Sequence, residues 1–163
     1  MRLALIGALA ISLTGAVAHA SQIQRIELVG YGIYTSNPQS CQRDTLGVNR
    51  CTVRDVQQIT TTSIVPFRTG VEFGVEFKTI GTFDATAAEV RKVWIFPGAG
   101  LKSPFFNQPL RRDEEVISVP IGTGGFVAYT LDEPWELVPG IWTVEIWDGN
   151  RRLMSKSFTV VKR

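Results

Sequence analysis

One histidine, His19, and two cysteines, Cys41 and Cys51, set the limits on the chemistry this chain can run. Mechanisms of the Ser-His-Asp and Cys-His kinds need an imidazole, as does the usual histidine-containing zinc site. His19 lies inside a stretch that reads as a removable leader, so the mature chain is expected to carry no imidazole. Cys41 and Cys51 are ten positions apart, wider than the Cys-x-x-Cys spacing of a redox pair. In an oxidising compartment the simplest expectation is one structural disulfide. The chain-entropy treatment values an eleven-residue loop of this kind at roughly 2.8 kcal/mol. Pairing also removes the thiolate nucleophile, and with it most designs of secreted hydrolase.

The remaining motifs that outwardly carry chemistry fail on spacing. Ser155-Lys156-Ser157 is the nearest approach to a Ser-Lys dyad, but neighbours on a strand point to opposite faces and do not meet. Gly98-Ala99-Gly100-Leu101-Lys102-Ser103 has Leu101 where a phosphate-binding loop needs Gly-Lys-Ser contiguous, and Pro104 where it needs a helix. Gly122-Thr123-Gly124-Gly125 lacks the full dinucleotide fingerprint, and no alternating Asp/Asn calcium loop is present. No cofactor and no metal are expected.

Paired carboxylates need only the right separation to cleave glycosides. Glu72 and Glu76 share a strand face about 13 Å apart, beyond the roughly 9.5 Å limit of an inverting enzyme. Glu133 and Glu136, around Trp135, could approach more closely and are the acids to inspect for a hydrolase.

Aromatic residues hold the remaining functional signal. Trp94, Trp142 and Trp147 fall on strands and read as core, or alternatively as sugar platforms if exposed. Phe105, Phe106 and Trp135 fall in loops, where they either pack over one end of the domain or offer a contact surface to a partner.

The elements that must position these residues are strands. Val71, Phe73, Val75 and Phe77 alternate with Glu72, Gly74, Glu76 and Lys78, the period of a half-buried strand. Similar patterns occupy residues 23–34, 53–65, 90–96, 115–119, 126–131, 141–147 and 152–161. Turn signals fall at Asn37-Pro38, Pro97-Gly98, Gly122 to Gly125, Pro139-Gly140 and Asp148-Gly149. The last marks a hairpin. On its first strand Trp142, Val144 and Ile146 share one face, opposite Ile141, Thr143, Glu145 and Trp147. Large residues on both faces imply a strand that is central or covered on both sides. Only residues 82–92 look able to form a short helix.

The run from Asp132-Glu133-Pro134-Trp135-Glu136 through Ile141-Trp142-Thr143-Val144-Glu145-Ile146-Trp147, followed by Ser155-Lys156-Ser157-Phe158-Thr159-Val160, resembles a bacterial family, domain of unknown function 3859. Trp94-Ile95-Phe96-Pro97 and Val29-Gly30-Tyr31-Gly32-Ile33-Tyr34 fit the same resemblance, which spans most of residues 23–161. It implies a β-sandwich and carries over no catalytic residue.

Residues 1–20 read as a signal peptide: Met1-Arg2, sixteen nearly all apolar residues, then Ala18-His19-Ala20 as the cleavage pattern. The apolar run is short for a membrane span, and no transmembrane segment is expected after cleavage. Residues 21–163 then form one domain, all-β, a single immunoglobulin-like sandwich of about seven to nine antiparallel strands. Without Arg2, sixteen Lys and Arg stand against fifteen Asp and Glu, a balance that argues against nucleic acid as partner. The expected function is a non-catalytic module, periplasmic or secreted, that contacts a protein or envelope component. Carbohydrate binding on tryptophan platforms is the alternative, and a carboxylate hydrolase follows. Neither ligand nor oligomeric state is legible.

Overall fold

The computed structural model describes residues 22–82 and 86–162, so the expected signal peptide, residues 1–20, lies outside the described residues. Nine strands follow one another: β1 (Ile23–Arg43), β2 (Asn49–Thr60), β3 (Ile64–Pro66), β4 (Glu72–Gly81), β5 (Ala87–Ile95), β6 (Arg112–Pro120), β7 (Gly124–Thr130), β8 (Gly140–Asp148) and β9 (Arg151–Val161). Among the described residues one 3-10 turn, Pro134–Glu136, interrupts them. The strands make two sheets, ordered β2-β1-β4-β7 and β3-β9-β8-β5-β6. The expected two-sheet β-sandwich is the observed fold.

Alternation decides which faces meet. On β4, Phe73 and Val75 are fully buried and Phe77 nearly so, while Lys78 is exposed. On β8, Trp142, Val144 and Ile146 are fully buried whereas Ile141 is 62% exposed. That strand is third of five in its sheet, so it is central, and its outer face is open at Ile141 but covered at Glu145. The hairpin to β9 turns at Gly149, whose φ of 55° suits a residue without a Cβ.

Rings from both sheets fill the space between. Phe73 of β4 lies 5.5 Å from Trp94, 5.8 Å from Trp142 and 5.2 Å from Phe158, each edge-on. Tyr129 of β7 closes the group, 5.6 Å from Trp94 and 5.1 Å from Trp142. Offset and edge contacts match the ring quadrupoles. Trp94 and Trp142 are therefore core residues, and the platform reading is corrected for both.

Four local expectations also change. Asn37-Pro38 does not turn the chain: it continues β1, with Asn37 opposite Arg54 and Pro38 opposite Val53. Register shifts flank the pair, and Pro38, which has no N–H, sits where the ladder is already broken. The described part of residues 82–92 forms no helix, because β5 from Ala87 onward pairs with β6 and β8, and those ladders override local propensity. Residues 83–85 of that stretch lie outside the described residues.

The expected strand 53–65 is two strands, divided at residues 61–63. Thr62 Oγ1 accepts a 3.0 Å hydrogen bond from the Ile64 amide at the break. The chain changes sheets there, and β3 joins β9 in parallel, so not every pairing is antiparallel.

Truncating Phe73 to alanine removes the ring that Trp94, Trp142 and Phe158 share. Urea unfolding should show a loss of about 3–5 kcal/mol, as for other buried aromatics. A loss below about 1 kcal/mol would contradict this account of the core.

Candidate site in a cleft between the sheet edges

Beyond Tyr34 the first hairpin outgrows its sheet. Tyr34 is the last β1 residue paired with β4, and past it β1 and β2 pair only with each other. The result is a two-stranded arm. Cys41 and Cys51 are direct cross-strand partners, and their disulfide fastens the arm near its tip. Asp44 shapes that tip by accepting 2.9 Å hydrogen bonds from the amides of Leu46 and Val48. Gly47, with φ of 84°, lets the turn lie against Phe105, whose ring atom would sit 2.3 Å from any Cβ placed there. Ser103 Oγ donates to the Leu46 carbonyl at 2.6 Å, which anchors the tip on the loop after β5.

A second anchor reaches β6 in the other sheet. Arg50 on β2 spans Asp113 with two hydrogen bonds, Nη1 to Oδ2 at 2.8 Å and Nη2 to Oδ1 at 2.5 Å. It also donates to Asp44 at 2.7 Å and stands 3.3 Å from Glu115. Asp113 shares its face of β6 with Glu115, Ile117 and Val119 and is almost wholly buried. Burial alone would push the Arg50 guanidinium down. The hydrogen bonds and charge of Asp113, with Glu115 and Asp44 behind them, instead carry it above its ordinary value.

Under the arm lies a cleft of about 920 Å³, within the usual range of ligand sites. Its walls are edge strands of the two sheets: Phe126 to Thr130 on β7, and Glu115, Ile117 and Ser118 on β6. Residues of the arm line the remaining side, among them Ser36, Pro38, Arg50 and Thr52.

Acids and bases in the cleft divide by partner. Glu115 is bonded to Lys92 as well as Arg50. Glu136 is buried, with Oε1 accepting from the Tyr129 hydroxyl at 2.7 Å and Oε2 from the amides of Asp132 and Glu133 at 2.8 Å. Burial pushes its carboxyl above the ordinary value, against the effect of these donors. Glu72 is half-buried and takes a 2.9 Å hydrogen bond from Ser36, and Asp132 takes one of 2.9 Å from Asn49. Burial raises Glu72, and the charge of Asp132 adds to this.

Two further groups on the lining have no partner among the described residues. They are the Tyr34 hydroxyl and the Trp94 indole nitrogen, on side chains buried to within a few per cent. Burial, with Glu76 nearby, pushes the Tyr34 hydroxyl up to about 12.

The residues singled out from sequence scatter. Phe105 and Phe106 are exposed on the loop after β5 that meets the arm tip, with the Arg43 guanidinium 5.6 Å from the Phe105 ring centre. Trp135 is partly buried and packs on the core, the packing alternative of the two that its sequence position left open. Trp147 stands on the outer face between Arg91 and Arg152, donating to Glu145 at 2.8 Å.

Glu133 pairs with Arg43 while Glu136 turns inward, so the two carboxyls serve different partners. Ser155 and Ser157 face outward toward Glu145 and Thr143, whereas the Lys156 ammonium sits 3.4 Å over the Tyr31 ring. Gly98 to Ser103 and Gly122 to Gly125 are strand connections and the start of β7.

Arg50 and Asp113 escaped the sequence reading, and Glu72 was weighed there only as a catalytic carboxylate with Glu76. The one usable signal was Asp113, a charged residue in phase with Ile117 and Val119. Among the described residues no group of three or more metal-ligating side chains gathers, and no helix is long and apolar enough to cross a membrane.

Comparison with known proteins adds a structural relative. The crystal structure of an immunoglobulin-like protein from Pseudomonas aeruginosa superposes with a TM-score of 0.62 and 26% identity, covering 87% of this chain and 100% of that one. No protein-family model matches this chain, and the comparison with curated proteins finds no match.

Two outcomes follow from the electrostatics. Arg50→Met strands a buried Asp113 charge and should cost about 3–5 kcal/mol in urea unfolding, with Asp113→Asn in the same chain restoring part of it. Equal stability of the single and double variants would contradict the clamp. Glu72 has a folded value above its unfolded one, so its contribution is complete below the ordinary carboxylate range and is lost as pH rises through the raised value. The stability of Glu72→Gln relative to the parent should therefore increase on going from pH 4 to pH 7. A flat or opposite difference would show that the carboxylate is well solvated.

Proposed function

We propose that this protein is a non-catalytic binding module of an exported, oxidising compartment, and that it engages a macromolecular partner in the cleft between β6 and β7. The observation that carries the reading is the meeting of two free sheet edges under an arm held in place from both ends. The disulfide supports the oxidising compartment, and the leader-like residues 1–20 support export. Both oxygens of Glu136 are committed to hydrogen bonds and Glu115 to cations, which leaves neither placed to work as a free acid and base. On the tryptophan-rich stretch quoted above we also propose membership of the family domain of unknown function 3859, whose implied β-sandwich agrees with this fold.

The test places a photo-crosslinking residue at Ser118 inside the cleft and, separately, at Phe106 on the loop after β5, with envelope extract as the source of partners. Ser118 should give a discrete adduct that is lost on Arg50→Met, while Phe106 gives none. Adducts confined to Phe106, or none at all together with a positive glycan array, would overturn the cleft as the binding surface.

A further inference from the structure

We infer that the cleft takes an extended polypeptide segment of the partner, which adds as a strand to the free edge of β7 and offers a basic side chain to Glu72 and Asp132. This rests on the binding-module reading and names the class of ligand.

The first support is the backbone. β7 pairs with β4 along one side only, from Gly124 to Thr130. Five consecutive residues of it, Phe126 to Thr130, line the cleft. Side chains on a strand alternate between faces, so an unbroken run facing one cavity means that the open ladder side faces it. Five residues span about 17 Å, the length of an ordinary short strand. Unpaired edge N–H and C=O groups are the usual acceptors of an added strand. Two of the other edges suit this less well, since β3 has three residues and β2 is broken by register shifts and by Asp55 at φ 50°; the remaining edge, β6, is the opposite wall of the same cleft.

The second support is charge. Each of the other acids in the cleft is neutralised by a cation or consumed by internal donors. Glu72 and Asp132 accept side-chain hydrogen bonds from the neutral groups of Ser36 and Asn49; Arg43 acts on Asp132 only through its charge, and among the described residues no Lys or Arg nitrogen forms an ion pair with either. Glu72 sits opposite Thr130 at the end of β7, and Asp132 follows two residues on. A strand added to β7 with a lysine or arginine at this end would meet both carboxylates.

The probe is a seven-residue peptide alternating valine and threonine with a lysine near one end, made in both sequence directions so that either strand orientation can bring the lysine beside Thr130, compared with norleucine at that site and with a copy N-methylated along the edge-pairing side. Isotope-labelled protein is titrated and its amide shifts followed. The lysine peptide should shift the amides of Phe126 to Thr130 and slow their exchange with solvent. Norleucine, or Glu72→Gln with Asp132→Asn, should weaken it roughly tenfold or more, as for loss of a charge-assisted contact. The N-methylated copy should not bind.

Unchanged melting of the double variant separates loss of binding from loss of fold. Equal binding of lysine and norleucine peptides, equal binding of the N-methylated copy, shifts confined to Phe105 and Phe106, or full competition by n-butylamine would each overturn the inference. If β7 stays silent while Ser118 still captures a partner, the strand ligand falls and the binding module stands. If both fail, both fall.

Discussion

The bidentate contact between Arg50 and Asp113 is where the two sheets are held together away from their apolar core. A carboxylate buried as deeply as Asp113 is tolerable only when a cation with matching geometry meets it, and the guanidinium fork supplies that match. The contact decides where the arm lies. The arm in turn decides whether the gap between β6 and β7 is an open flank or an enclosed cleft. Packing of Phe73 with Trp94, Trp142 and Tyr129 would hold the sheets in register without it, but would leave the far ends of β1 and β2 without support.

The arm also shows how local chemistry and long-range contacts cooperate. Asp44 and Gly47 make the turn, the disulfide keeps the two strands in register behind it, and Ser103 and Asp113 provide the landing points. Each part is weak alone. A two-stranded ribbon in water is marginal at best, which is why a covalent link near the tip and anchors in the opposite sheet appear together.

Much of the fold was legible because period-2 alternation is a direct consequence of burying one face. Val71 to Phe77 and Ile141 to Trp147 carry that pattern without interruption, and both lie where it places them. Pro38 misled because a proline reads as a turn unless the pairing on either side is known, and its tolerance comes from irregular ladder positions visible only in space. The run at 82–92 misled because ladders on both sides of β5 outweigh the helical preference of Ala, Glu and Lys. The cleft was the least legible part. Arg50 and Asp113 are 63 residues apart, and nothing local to either announces the other. The aromatic loop residues drew notice instead because exposure cannot be read from residue type, and Trp135 proved to be packed.

The parallel pairing of β3 with β9 has a temporal side. Ile64 lies beside Thr159 and Pro66 beside Val161, so an early strand of the five-stranded sheet is seated against the last strand of the chain. For any polypeptide that emerges amino end first, from a ribosome or through a membrane pore, β1, β2 and β4 can find one another while the rest is still arriving. The second sheet has to wait for β8 and β9, and so does the landing of β3. Long closures of this sort slow the ordering of a β domain and extend the life of a half-built state. During that interval the apolar faces of β4 and β7 lack their cover, so the growing chain is exposed to unwanted association until its final strand is delivered.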